Sequence, residues 1–321
     1  MAKENIYPYA VAKIRVYEKN LLTKQNFIQM AEAKDINECI RIFSNNKTSF
    51  EADDFEQALS TEMAQAYELM KELVPEENFV NIFLCKNDYH NVKVLIKSEL
   101  SGADAEKYII QGGILSVDLL KKAIFERNYS SLPKIMENSI KEAYDIYSKS
   151  QNAQYIDMVI DKACFEYMTQ IAKESKNNFI IKFIEKLSDI TNLKSFERIR
   201  RMNKNFDNTF KFAFVSGGTI SFETFRQASA TDNPALTFKI TDYYSLCEAM
   251  GNDFTLFEKL CDNYLMSYVK SAKYMPLTLE PLIAYIYAKE TEIKIARIII
   301  ASKLNNIDSD TIKERLREAY V

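Results

Sequence analysis

Few residues in this chain could do chemistry. His90 is the only histidine among 321 residues, which excludes two-histidine zinc motifs such as H-E-x-x-H and makes any Ser-His or Cys-His nucleophile depend on one ring. It lies in DYHNVKVLIK, 88–97, a helical stretch whose similar stretches elsewhere carry Thr191 and Lys294 at the matching position; a helix-surface histidine is expected in preference to a general base. Two glycine pairs, in QGGILS at 111–116 and SGGTIS at 216–221, stand just before helix starts, where bare N–H groups could take a phosphate. Neither reads G-x-x-x-x-G-K-[ST] or follows a strand pattern, and glycine as a left-handed C-cap between consecutive helices is the simpler expectation. RIRRMNKNF, 198–206, is the densest basic cluster, with Phe206 and Phe210 close by. A nucleic-acid patch has this look, and so does the solvated face of a helix; against a net charge of −3 a docking or solubility role is expected, and no nucleic acid. Cys39, Cys85, Cys164, Cys247 and Cys261 are odd in number and contain no C-x-x-C, the pattern of free thiols in a reducing compartment. The sequence therefore predicts no catalytic residue, no cofactor and no metal ligand.

The elements that must carry these residues are helices. Six glycines and six prolines in 321 residues disfavour turn-rich β architectures, and apolar residues recur at i, i+3, i+4 and i+7 in FIQMAEAKDINECIRIF (27–43) and DDFEQALSTEMAQAYELMKELV (53–74), so the fold class is all-α. Breaks are expected at Pro75, Pro133, SNNK (44–47), KNN (176–178) and DNP (232–234). The length favours more than one core. With 47% apolar and 27% charged residues the chain is expected to be ordered; its 19 Tyr and 20 Phe are expected mostly in the core, some at interfaces. MAKENIYPYA has no apolar leader-like run, and the longest apolar run, IARIIIA at 295–301, contains Arg297 and is far too short to span a bilayer.

One helix pattern recurs. DYHNVKVLIK at 88–97 matches DITNLKSFER at 189–198, with Asp88 on Asp189, Asn91 on Asn192 and Lys93 on Lys194; EIKIARIIIA at 292–301 puts Glu292 and Arg297 on the acidic and basic columns but Ile295 on the asparagine. The glycine pairs also match, Gly112 and Gly113 with Gly217 and Gly218. Helix starts recur as well: Thr23, Ser116, Ser221 and Asp308 can each be an N-cap. Leu22, Leu115, Ile220 and Ile307 before them pair with Phe27, Leu120, Phe225 and Ile312 after them as hydrophobic staples. Asp118, Glu223 and Asp310 put acid in the first turn.

These signals predict three helical units, 1–114, 115–219 and 220–321. A closing helix at 7–22 belongs to a unit without a beginning, and a truncated half-unit at 307–321 is left without an end. Lys13 of the closing helix falls on the basic column of Lys93, Lys194 and Arg297. The two ends could complete one another, giving a nearly closed array about a pseudo-threefold axis. The competing expectation is an open α-helical repeat scaffold that gathers soluble partners.

YPYAVAKIRVYEKNLL (7–22), FLCKNDYHNVKVLIKSEL (83–100) and EPLIAYIYAKETEIKIARIIIASK (280–303) resemble the C subunit of prokaryotic V-type (A/V-type) ATPases, a family similar to the d subunit of the eukaryotic vacuolar enzyme. The likeness runs over essentially the whole chain. It departs at Lys13, where the family often has arginine, and at Ile295, where asparagine is commoner. The resemblance implies a funnel of three similar helical subdomains that joins the D and F subunits of the central stalk to the membrane rotor ring. It implies a place at the cytoplasmic face of the membrane through protein contacts, no transmembrane segment, and no hydrolysis by this subunit.

Overall fold

The computed structural model describes residues 6–44, 50–74, 78–202 and 206–321. Every regular element among them is helical. Pro75 and residues 45–47, named above as breaks, lie outside the described residues, as do residues 203–205 of the basic cluster. The chain divides into two compact units, Met1–Glu77 with Asp253–Val321, and Asn78–Asn252.

The first unit begins with α1 (Ile6–Glu18), α2 (Lys24–Glu32), α3 (Ile36–Phe43) and α4 (Phe55–Leu73). The second holds α5 (Asn81–Ser101), α6 (Val117–Phe125), α7 (Lys134–Ser150), α8 (Ala153–Ser175), α9 (Asn178–Arg201), α10 (Phe206–Ala213), α11 (Phe222–Ser229) and α12 (Tyr244–Cys247). The chain then completes the first unit with α13 (Phe254–Lys270), α14 (Glu280–Leu304) and α15 (Ser309–Glu314).

All four expected N-caps are formed. Thr23, Ser116, Ser221 and Asp308 accept the N–H of the residue three further on, at 3.2, 3.3, 3.2 and 2.9 Å. The staple residues Phe27, Leu120, Phe225 and Ile312 are all buried, so each short helix is pinned at its entry and packed through one face. The periodic run 27–43 is two helices instead of one. Asp35 accepts the N–H of Glu38 at 2.8 Å and starts α3 afresh, because an Asx cap competes locally with helix continuation. Pro133 proves to be the N-cap of α7, eight residues after α6 ends.

In the first unit both ends of the chain share a core. Leu22, Phe27 and Met30 from the start pack with Ile293, Ile295, Ala296, Ile299 and Ile300 of α14 and with Ile312, Leu316 and Ala319 from the end. α14 is apolar on nearly all sides and correspondingly buried along most of its length, as expected of a helix at the centre of its unit. In the second unit α5, α7 and α9 pack on α8. Phe196 of α9 sits among the rings of Phe206, Phe210, Phe225 and Phe238 at centroid separations of 5.3–6.1 Å.

Candidate functional site

The acidic and asparagine columns are where the structure concentrates buried polarity. On α5, Asp88 and Asn91 lie one turn apart on the same face. The Asp88 carboxylate accepts the N–H of Ile114 at 3.0 Å and of Leu115 at 3.3 Å. Asn91 binds both backbone groups of Ile110, donating to its carbonyl at 2.7 Å and accepting its N–H at 2.9 Å. Asn87 donates to the carbonyl of Gly112, and the protonated Nε2 of His90 donates to that of Tyr108 at 3.0 Å. Four neighbouring side chains thus clasp the loop that leads into α6.

On α9 the arrangement is repeated. Asp189 accepts the N–H groups of Thr219 and Ile220, both at 3.0 Å, and Asn192 binds both backbone groups of Val215 at 2.8 and 2.9 Å. Two hydroxyls are added here, Thr219 at 2.6 Å and Tyr243 at 2.9 Å from Asp189 Oδ2.

The glycine pairs follow from these clasps. Gly112 and Gly217 adopt φ of +82° and +100°, where a side chain is strained. Their followers do a different job: a Cβ on Gly113 would lie 1.8 Å from Asp88 Oδ1, and one on Gly218 2.1 Å from Asp189 Oδ1. The expected C-cap role is therefore corrected, since the left-handed residue that ends α5 is Gly102. The first glycine of each pair turns the chain, Gly217 also passing where a Cβ would lie 2.3 Å from Thr169 Oγ1, and the second lets it lie against a carboxylate. The phosphate-loop reading meets the same obstacle, because the N–H groups beyond the glycines are already taken by the protein's own anion.

The third acidic column, on α14, clasps a loop from the other end of the sequence. Glu292 Oε2 accepts the N–H of Leu22 at 2.5 Å. Leu22 precedes the Thr23 cap as Leu115 precedes Ser116 and Ile220 precedes Ser221, so the same backbone position is gripped three times. No glycine pair is present at the matching positions, Lys19 and Asn20. Glutamate's extra methylene carries its carboxylate outward by about one carbon–carbon bond, ~1.5 Å, and the loop need not come so close. Ile295, in place of asparagine, joins the apolar core. Glu292 is balanced by Lys289 at 3.0 Å, which also reaches Glu62 at 2.8 Å. Burial opposes the charge on Lys289, but the two carboxylates outweigh it and hold its pKa above the usual lysine range.

Asp88 is the least supported of the three acids. Burial pushes its carboxyl up to about 6, with the Ile114 and Leu115 N–H groups pulling the other way. The basic column ties these helices to their neighbours: Lys13 to Glu72 at 3.0 Å, Lys93 to Asp161 at 2.6 Å and Arg297 to Glu56 at 2.9 Å.

The remaining candidates are accounted for. In the basic cluster, Arg200 and Arg201 both bind the buried Glu197, at 3.0 and 2.8 Å, and Glu197 also accepts the N–H of Gly251. All five cysteines are buried and none is in a disulfide, and burial pushes the Cys39 thiol up to about 12, which leaves little nucleophilic thiolate there. No group of side chains suited to a metal ion occurs among the described residues. A cleft of about 890 Å³ in the first unit runs between α1 and α4 over α14. Its charges are paired, Lys71 with Glu68 and Lys289 with Glu62 within the lining, and Glu72 with Lys13 beside it. Sequence reasoning missed the Lys289–Glu62 pair and the Tyr243 and Glu197 contacts, whose partners lie more than 50 residues away; the acidic column was a visible trace of the first two only.

Fold and site together define an all-α protein with an internally repeated carboxylate clasp. No helix among the described residues is long and apolar enough to cross a membrane. The model of the ATP synthase (C/AC39) subunit family matches residues 10–315, and the chain belongs to that family. It is similar to the C subunit of the V-type sodium ATPase of Enterococcus hirae, at 27% identity over 96% of this chain and 97% of that protein. It is similar also to the C subunits of the A-type ATP synthases of Thermococcus kodakarensis (21%, covering 97% and 90%) and Haloferax volcanii (26%, covering 73% and 72%).

Proposed function

We propose that this chain is a non-catalytic central-stalk subunit of a rotary V/A-type ATPase, joining the D and F stalk subunits to the membrane rotor ring and passing torque between them during ion transport. The carrying observation is the family match over residues 10–315, together with relatives, each named as the C subunit of its complex, that align over nearly their whole length. The geometry is consistent with a mechanical part: the matching acids and glycines are spent on holding loops to helices. In this reading the subunit sits at the cytoplasmic face of the cell membrane.

The proposal includes three units, 1–114, 115–219 and 220–321, around a pseudo-threefold axis. Its support is the order of the clasps, from 88 to 115, from 189 to 220, and from 292 back to 22. An open solenoid would leave its terminal repeats capped separately, whereas here the first and last segments share one core. Three hundred-residue bodies around an axis span on the order of 60–70 Å, enough to receive a two-helix shaft of about 20 Å on one side and cover a ring on the other.

Pull-down of the rotor ring from detergent-extracted membranes, with and without the D stalk protein, tests the proposal. The chain is expected to come down with the ring and to retain the D stalk protein; a chain that stays in the supernatant under both conditions overturns the reading. Purified alone, it is expected to turn over no ATP, and turnover abolished by substituting Gly112 and Gly113 would refute the non-catalytic role.

A further inference from the structure

In the first unit, the link between α13 and α14 differs from the rest of the surface. From residue 263 to 279 there is no acidic side chain, although the chain carries 45 Asp and Glu in all. At its tip, residues 274–278 are a continuous exposed run, Tyr-Met-Pro-Leu-Thr. Tyr274 is 87% exposed and Leu277 63%. The base is fixed: Ala272 and Leu279 are buried on either side, and the Lys273 ammonium lies 4.5 Å from the Tyr320 ring centroid. An apolar tip is thus held out on a rigid footing, with Lys270 and Lys273 beneath it.

We infer that Tyr274–Thr278 is a lipid-contact loop that seats in the headgroup layer of an anionic bilayer. This goes beyond the function proposed above, which needs only protein contacts with the ring, and does not depend on it. Protein partners are met by patches with packed centres and polar rims; a protruding tip of tyrosine, methionine, proline and leucine has no polar side-chain atoms to match except the tyrosine hydroxyl and one threonine. Tyrosine suits the interface because its ring is apolar and its hydroxyl stays wet, and lysines at the base match the sign of anionic lipid. Lys270 is shared with Glu318 at 3.2 Å, so apolar burial supplies most of the attraction. Two or three such side chains give reversible seating and not an anchor.

The chain has no tryptophan, so Tyr274→Trp places a single reporter on a residue that is almost fully exposed. With vesicles of phosphatidylcholine and phosphatidylglycerol, the variant is expected to show a blue-shifted emission that brominated lipid quenches. Adding Leu277→Ser should weaken the partitioning about tenfold. Adding Ile240→Ser instead should leave it unchanged: Ile240 is 97% exposed but belongs to the second unit and not to this loop. Absence of a shift with protein-free vesicles overturns the inference. So does a shift that appears only when the vesicles contain the rotor ring, which would assign the loop to a protein surface.

Discussion

Gly112 and Gly113 separate two reasons for glycine that are often merged. Gly112 has a positive φ and open space around its missing Cβ, whereas Gly113 has the Asp88 carboxylate where its Cβ would be. Gly112→Ala should cost about 1 kcal/mol, the usual penalty for forcing a side chain into that backbone region. Gly113→Ala must drive the loop off Asp88 and strand a buried carboxylate, which should cost about 2–4 kcal/mol. Urea midpoints of the two variants check the ranking, and the reverse order would contradict the close-approach account. Asp88 itself gives a pH signature. Its folded-state value, about 6, lies above its ordinary 3.8, so the neutral form is favoured on folding. The contribution is fully present below about pH 4 and is lost as pH rises through about 6, an amount near 3 kcal/mol. Denaturant titrations should show this slope in the wild type and its loss in Asp88→Asn.

At the scale of elements, α14 carries the unit that joins the chain's two ends, and its polar residues are the exception in an otherwise apolar helix. Lys289 holds Glu62 on α4 and Glu292 on its own helix, and Glu292 in turn holds Leu22. Lys289→Met leaves the buried Glu292 and the half-buried Glu62 without the cation they share, and a loss of about 3 kcal/mol is expected. Lys289→Met combined with Glu62→Leu and Glu292→Gln removes the uncompensated charges, and thermal melting should recover much of the difference. A triple variant no more stable than the single one would mean that the ion pairs do not carry the contact. The clasps also explain why three short helices, α2, α6 and α11, hold their places: a cap, a staple and a carboxylate bond meet within six residues at each entry.

At the scale of the molecule, the first unit is assembled from two segments separated in sequence by the whole of the second, Asn78–Asn252. Its core needs Ile312, Leu316 and Ala319 from the last ten residues, and Tyr320 donates to Glu18 at 3.1 Å. Removing residues 305–321 should therefore deprotect α1, α2 and α14 in hydrogen exchange, although none of these helices has been altered. Protection left intact there would show that the tail is dispensable to the core. Assembly from distant segments also predicts slow folding of this unit, because the closing contacts come at the cost of a very long loop.

The sequence by itself determined the helical class, the four caps and their staples, and the recurrence of an acid and a glycine pair at matched positions. These are local quantities: a cap needs a side-chain oxygen three residues from an N–H, and a staple needs two apolar residues five apart. It also carried the family, because the matching residues run along almost the whole chain. What the acid and the glycines were for was decided only by tertiary structure. A carboxylate 26 residues before an N–H, or 270 after it, shows no spacing that a helical period could reveal. The same limit hid the break at Asp35, where a local cap overrode a continuous apolar pattern, and the partners of Lys289 and Glu197. Hydrogen bonds to a buried charge are set by which surfaces the packed core brings together, and that is known only once the core has formed.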